Sequence, residues 1–163
     1  MEIPDILKNL TLEDEPKLAF IATLLRDEPC GIIVKGTAFF DDFLLKEVLL
    51  AYRRKTGAAA GYTEAQVPKM AFDLKISTLA GLKLSPDATT LRDVAVTKMK
   101  PMRKIRNKAA HKASLTSSEA EELWGETENR HLLADFPDTF VAECAVVQSA
   151  LRHLLDHADF GGR

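Results

Sequence analysis

The segment Met102–His111 contains three side chains whose types and spacing suit chemistry on a phosphate. They are Arg106, Asn107 and His111, in the run Met-Arg-Lys-Ile-Arg-Asn-Lys-Ala-Ala-His. A neutral histidine can take the proton from a ribose 2′-hydroxyl, and a protonated one can supply a proton to the leaving 5′-oxygen. The arginine fork can hold the phosphate oxygens, and the asparagine can hydrogen-bond the phosphate or fix the imidazole. These residues form a candidate site for metal-independent RNA cleavage.

The spacing of these residues on a helix decides which of them can meet. Each residue turns an α-helix by about 100°, so Asn107 and His111 share a face. Lys104 and Lys108 lie on that face too. Arg106 lies about 140° from His111 by the same arithmetic, so the two converge only if the helix frays or a second subunit supplies the facing pair. The alternative is an ordinary amphipathic helix without a site. In that case Arg106 lies at the edge of the apolar face, Asn107 on the surface and His111 at the helix end.

The segment around these residues is strongly basic. Between Arg92 and Lys112 stand eight basic residues and a single acid, Asp93, which gives a local charge of +7. The whole chain carries −2, so the remainder carries −9. Such a localised positive charge suits a phosphate backbone. We expect nucleic-acid contacts from Lys98, Lys100, Arg103, Lys104, Lys108 and Lys112. The alternative is a solvated helix face that is neutralised by the glutamates of the Glu119–Glu128 segment.

The elements that must position these residues are helices. Apolar residues recur every three or four positions and strand-like alternation is absent, which predicts an all-α bundle of five to six helices in a single domain, 1–163. Pro101 should kink or split the fourth helix. The predicted helices run from about Glu13 to Arg26, Ile32 to Arg54, Thr63 to Ala80, Ser85 to His111, Ser118 to Trp124 and Pro137 to His157.

Particular residues define the ends and inner faces of these helices. Thr63 is a plausible N-cap of the third helix, and Gly81 ends that helix. The fifth helix opens with a capping box at Ser118–Glu121 and closes at Trp124 and Gly125. The inner faces include Phe43, Leu74, Val94, Cys144 and Leu155.

Composition and the remaining patterns exclude several classes of protein. The chain of 163 residues is 46% hydrophobic and 28% charged, as in a soluble globular protein, and no stretch is long and apolar enough for a bilayer. Without a secretory signal we expect a cytoplasmic protein with no membrane partner, whose cysteines, Cys30 and Cys144, stay reduced. No phosphate loop or dinucleotide fingerprint occurs, and we expect no cofactor. A helix-turn-helix with a recognition helix is not evident either, which argues against direct sequence-specific reading of DNA.

Two further pairs of residues have spacings found in functional sites. His153 and His157 are four apart, which is metal-ligand spacing, but a third ligand is not evident and last-turn histidines also suit the helix dipole. Asp41 and Asp42 could form a paired carboxylate site, although adjacent residues on a helix point apart. We therefore predict no metal site.

The Arg106-Asn107…His111 arrangement resembles the signature of HEPN domains (higher eukaryotes and prokaryotes nucleotide-binding), and the chain is similar to their mannitol operon repressor (MltR) branch. Phe72-x-x-Lys75-Ile76 with Gly81-Leu82 resembles a segment of that branch, as do the acidic, apolar Phe39–Leu45 and the Phe140-Val141 pair of the closing helix. The likeness covers about Ile32 to His157. It departs at Ala109, where the family usually has an aromatic residue.

The resemblance implies a homodimer, because catalytic pockets of the superfamily form where two such helices meet. It also implies a negative regulator of gene expression that acts through RNA or a protein partner. The alternative is a toxin-like endoribonuclease that uses Arg106 and His111 and is paired with an antitoxin. A third hypothesis is a non-catalytic interaction module whose basic helix docks an acidic protein.

Overall fold

The computed structural model describes residues 29–111, 116–128 and 138–157, and these residues contain helices and turns but no strand. The predicted all-α fold is confirmed for this part of the chain. The predicted helix Glu13–Arg26 lies outside the described residues. Six α-helical segments follow one another: α1 Pro29–Phe39, α2 Leu45–Thr56, α3 Phe72–Ala80, α4 Pro86–Ala110, α5 Ser117–Glu128 and α6 Asp138–His157.

A π-helical turn, Phe40–Leu44, joins α1 to α2 and makes one helical run of them. The Leu45 N–H donates to the Phe40 carbonyl oxygen, five residues back, as a π turn requires. The run starts before Ile32 and ends after Arg54, so it is longer than predicted. Phe43 does not belong to the inner face: it is 51% exposed, with its ring centroid 5.9 Å from that of Phe39.

The loop after α2 uses two glycines in the left-handed region. Gly57 has φ 62° and Gly61 has φ 80°, conformations that residues with a Cβ rarely adopt. The predicted start of the third helix at Thr63 is wrong. A helix from Thr63 would place Pro68 in its interior, where proline has no N–H to donate and its ring clashes with the preceding turn. The chain instead forms a short 3-10 turn, Val67–Lys69, before α3.

Helix α3 differs from the prediction in the residues that it buries and in the way its C-terminus is capped. Phe72, Lys75, Ile76 and Leu79 are its buried residues, while Leu74 is 51% exposed. Gly81 follows the helix as predicted, but with φ −88° it is right-handed. Its N–H donates to the Ser77 and Thr78 carbonyl oxygens, which closes the last turn without a left-handed residue.

Helix α4 begins as the sequence predicts. Ser85 is its N-cap, with Oγ accepting a 3.4 Å hydrogen bond from the Ala88 N–H, and Pro86 occupies the first helical position, which needs no N–H donor. Of the two predicted effects of Pro101, a kink or a split, the split does not occur, because the helix continues through Pro101 to Ala110. Pro101 is buried. Val94, predicted to face inward, is 37% exposed.

Helices α5 and α6 complete the described chain. The capping box of α5 lies two residues earlier than predicted: the Thr116 N–H donates to Glu119 Oε2 at 2.8 Å, and the Glu119 N–H donates to Thr116 Oγ1 at 3.2 Å. The helix continues past Trp124 to Glu128. Helix α6 has the predicted extent within one residue, but Leu155 is only half-buried.

The chain divides into two compact units, one containing the residues up to Thr37 with Lys104–Val146, the other Ala38–Arg103 with the residues from Val147. In the first unit the rings of Trp124 and Phe140 meet edge to face at 5.1 Å. In the second, the hydroxyl of Tyr52 lies 3.3 Å from the Lys83 amide nitrogen. The Tyr62 hydroxyl of the second unit donates to the Leu49 carbonyl oxygen at 2.8 Å.

Candidate nucleic-acid interface

The candidate residues are carried by α4, whose opposite face is apolar. Ala95, Met99, Met102, Ile105 and Ala109 are all completely buried. Their spacing of three or four residues keeps them on one side of the helix. Because this side is buried, the opposite side of α4 must face the solvent. The apolar pattern therefore determines which residues of α4 are exposed.

Four exposed polar residues of the first unit line the solvent side of the C-terminal part of α4, and we call them the basic stripe: Lys104, Asn107, Lys108 and His111. They span about 100° of the helix circumference and about 10 Å of its axis. His111 follows the last residue of α4, and its backbone N–H donates to the Lys108 carbonyl oxygen at 3.3 Å, which continues the turn. The predicted shared face of Asn107 and His111 with two lysines is therefore confirmed.

Three other predicted nucleic-acid contacts, at Lys98, Lys100 and Arg103, belong to the second unit and not to the basic stripe. Lys100 is exposed. Lys98 and Arg103 are half-buried. Arg103 Nη1 lies 3.8 Å from Asp73 Oδ2 of α3, an ion pair within the second unit. Lys112 lies outside the described residues. Of the six predicted contacts, Lys100, Lys104 and Lys108 are therefore the ones that the described structure presents to solvent.

Arg92, at the start of the basic segment, has a structural role. Its Nη1 donates to the Leu82 carbonyl oxygen at 2.6 Å, and its Nη2 lies 2.8 Å from Asp93 Oδ1. The side chain is 15% exposed. Part of the positive charge counted in the sequence therefore serves the fold, and the charge displayed to solvent is smaller than +7.

The three candidate catalytic residues are divided between two sides of α4. Asn107 and His111 are exposed, whereas Arg106 is half-buried. Because α4 continues regularly to Ala110, Arg106 lies about 140° around the helix from His111. One copy of this helix therefore does not bring the arginine and the histidine together.

A buried ion pair was not predicted from the sequence. Lys75 Nζ donates to Asp41 Oδ1 at 2.6 Å and to the Asp41 carbonyl oxygen at 2.9 Å, and both residues are under 8% exposed. This corrects the paired carboxylate hypothesis, because Asp41 faces inward and Asp42 faces solvent. A signal was present in the sequence: Lys75 lies among Phe72, Ile76 and Leu79 at the spacing of an inner face.

Other features of the described residues do not form a recognisable reaction centre. A groove of about 470 Å³ contains none of the stripe residues, and three or more potential metal ligands do not meet in the described part. Cys30 and Cys144 are free thiols, and burial raises the pKa of Cys144, with Glu143 adding to the effect. The groove is lined by Ala60, Gly61, Tyr62, Gln66, Lys69, Met70, Leu74 and Thr78.

Comparison with known proteins gives no match: no family model, curated protein or solved structure is similar to the chain. Among the described helices, none is long and apolar enough to cross a membrane.

Proposed function

We propose that the protein is a nucleic-acid-binding negative regulator, similar in role to the mannitol operon repressors, and that it acts by binding RNA through the basic stripe. The observation that carries this proposal is the exposure of Lys104 and Lys108 on one side of α4. No acidic residue occurs between Val94 and His111, so this part of the chain contains no negative side chain of its own. Lysines in this arrangement suit the phosphates of a polynucleotide.

Salt dependence tests the proposal directly. RNA binding through phosphates releases counterions, so the logarithm of the binding constant should fall linearly with that of the salt concentration. We expect Lys104→Ala/Lys108→Ala to make the slope shallower by about 1.4 to 1.8, the contribution of two phosphate contacts. The measurement is fluorescence anisotropy with a pool of single-stranded and hairpin RNAs across a range of salt concentrations.

The matched control is Lys69→Ala/Lys83→Ala, which removes the same charge from two exposed lysines outside α4. This variant should keep the wild-type slope. Equal slopes for the two double variants would contradict a role for the stripe, and absence of RNA binding at low salt would contradict the proposal. Salt-dependent binding to an acidic protein instead would favour the interaction-module hypothesis.

RNA cleavage is a second candidate function, favoured by the exposure of His111 one helical turn from Asn107. An imidazole on a phosphate-binding face could exchange protons with the ribose and the leaving oxygen. Arg106 would have to come from a second copy of α4, so this candidate requires a homodimer. RNA that remains intact at all protein concentrations in the binding assay would exclude it, whereas cleavage in EDTA that His111→Ala abolishes would establish it.

A further inference from the structure

We infer that the basic stripe recognises double-stranded RNA, by lying side-on across the minor groove. This inference rests on the proposed function, because it specifies the form of RNA that the same residues bind. It depends on three observations: the absence of phenylalanine, tyrosine and tryptophan around the stripe in sequence, the position of the stripe on the helix, and the presence of Asn107 and His111 within it.

The stripe lacks the succession of aromatic rings on which single strands stack their bases. Between Asp73 and Leu123 the chain contains no phenylalanine, tyrosine or tryptophan, so the imidazole of His111 is the one ring of the stripe on which a base could stack. Phe43, the exposed aromatic among the described residues, lies on the π turn and not on α4. Single-strand binding takes about 1–3 kcal/mol per base from such stacking. A stripe with two lysines and a single ring is better matched to a backbone whose bases are already paired.

The position of the stripe indicates which groove it fits. An α-helix with side chains is about 10–12 Å wide, too wide for the minor groove of B-DNA at about 6 Å. Helices that enter the major groove of DNA present their N-terminal residues to the bases, but the stripe runs along the side of α4 in its C-terminal half. The minor groove of an RNA duplex is wide and shallow, and it accepts contact from the side of a helix.

Asn107 and His111 supply the contacts that distinguish RNA from DNA. Both are exposed, and they lie within about 60° of Lys104 around the helix. The lysines are long enough to reach phosphates at the groove edges, while an amide and an imidazole can donate to or accept from the 2′-hydroxyl groups that line the RNA minor groove. The stripe therefore combines charge for the backbone with hydrogen bonding for the sugar.

The experiment compares three probes of one sequence: an RNA duplex of about 16 base pairs, the same length that double-stranded RNA-binding domains span, its single strand and the DNA duplex. At one salt concentration, the RNA duplex should bind at least about tenfold more tightly than either of the others, a difference of 1.4 kcal/mol. Asn107→Ala should reduce the preference for the RNA over the DNA duplex, and Lys104→Ala/Lys108→Ala should weaken both duplexes alike.

Ser77→Ala, which removes an exposed hydroxyl from α3, is the control and should leave all three affinities unchanged. Equal or tighter binding of the single strand would overturn the inference while leaving the proposed function intact. Equal binding of the RNA and DNA duplexes would overturn the minor-groove geometry. Failure to bind any RNA at low salt would instead contradict the proposed function itself.

Discussion

Lys75 and the lysines of the basic stripe carry the same charge in opposite environments. The Lys75 residue is 3% exposed, and its ammonium donates to both the side chain and the backbone of Asp41. Lys104 and Lys108 stand in solvent on α4. One charge is enclosed with a partner of opposite sign, and the others are presented on a face of a regular helix.

The difference in environment determines whether the charge of a lysine contributes to folding or to binding. A buried ammonium loses its hydration and must recover it from fixed partners, so the fold depends on the pair remaining complete. An exposed ammonium keeps its hydration and adds little to stability, so it remains available to an anion from outside. In the sequence, apolar neighbours at inner-face spacing distinguish Lys75 from the lysines of the stripe, and its burial shows the difference directly.

The largest effect should follow from breaking the buried pair. Lys75→Met keeps most of the side-chain length but leaves the Asp41 carboxylate buried without its cation, so we expect the free energy of unfolding to fall by about 3–5 kcal/mol. Denaturant unfolding followed by circular dichroism measures this loss. The double variant Asp41→Leu/Lys75→Met removes both charges and should regain much of the stability.

The exposed ion pair of Arg54 with Glu64, 3.3 Å apart and with both side chains over half exposed, provides the matched control. Arg54→Ala should cost no more than about 1 kcal/mol. If Lys75→Met also lowered the free energy of unfolding by no more than about 1 kcal/mol, the distinction between the buried and exposed lysines would be contradicted.

The helical fold could be predicted because the apolar periodicity is strong in α4 and α6, where the observed limits agree with the prediction. The start of α3 was predicted wrongly although the sequence contains the signal, because a helix from Thr63 would place Pro68 in its interior. The π turn was also missed. It contains the Asp41 carbonyl oxygen that accepts a hydrogen bond from Lys75, a contact between distant residues that local spacing does not contain.

An intermediate effect should appear at high pH, through a buried hydroxyl. Burial, with a smaller contribution from Tyr52, raises the pKa of Tyr62 from 10.0 to about 12. The folded state therefore favours the neutral phenol, and the associated stability is present in full below pH 10 and is lost as the pH rises through 12. The difference in unfolding free energy between wild type and Tyr62→Phe should be constant below pH 10 and should shrink above it.

An ultraviolet absorbance titration of the phenol groups checks the assignment, because one tyrosine should ionise about two pH units later than a free tyrosine. Ionisation of Tyr62 near pH 10, read from the difference between the titrations of wild type and Tyr62→Phe, would contradict the burial argument. So would a stability difference between wild type and Tyr62→Phe that does not change with pH.

The smallest effect should be on the stability of the stripe variants. Lys104→Ala/Lys108→Ala should change the free energy of unfolding by less than about 0.5 kcal/mol, since both positions are exposed and alanine favours a helix. Thermal and denaturant unfolding measure this change alongside RNA binding. A loss above about 1 kcal/mol would show that these lysines serve the fold, as Lys75 does.

Part of the candidate site was predictable, because the periodicity of the α-helix determines which residues share a face. Helix geometry correctly placed Asn107 and His111 with Lys104 and Lys108, and correctly separated Arg106 from them. The sequence could not show which basic residues are engaged by the fold. The contact of Arg103 with Asp73 and that of Arg92 with the Leu82 carbonyl oxygen join residues of different elements, so they become visible only in three dimensions.

The π turn also determines how the first helical run can change length. Buried residues recur there every four positions, at Phe40, Leu44, Val48 and Tyr52. In a straight α-helix this repeat would drift by roughly 120° over three repeats, and the extra residue of the π turn offsets about 100° of that drift. The turn therefore acts as a phase correction. Deleting one residue between Phe40 and Leu44 should convert the turn to regular α-helix and keep these buried positions in phase, whereas the same deletion in a regular helix would rotate the residues beyond it by about 100°.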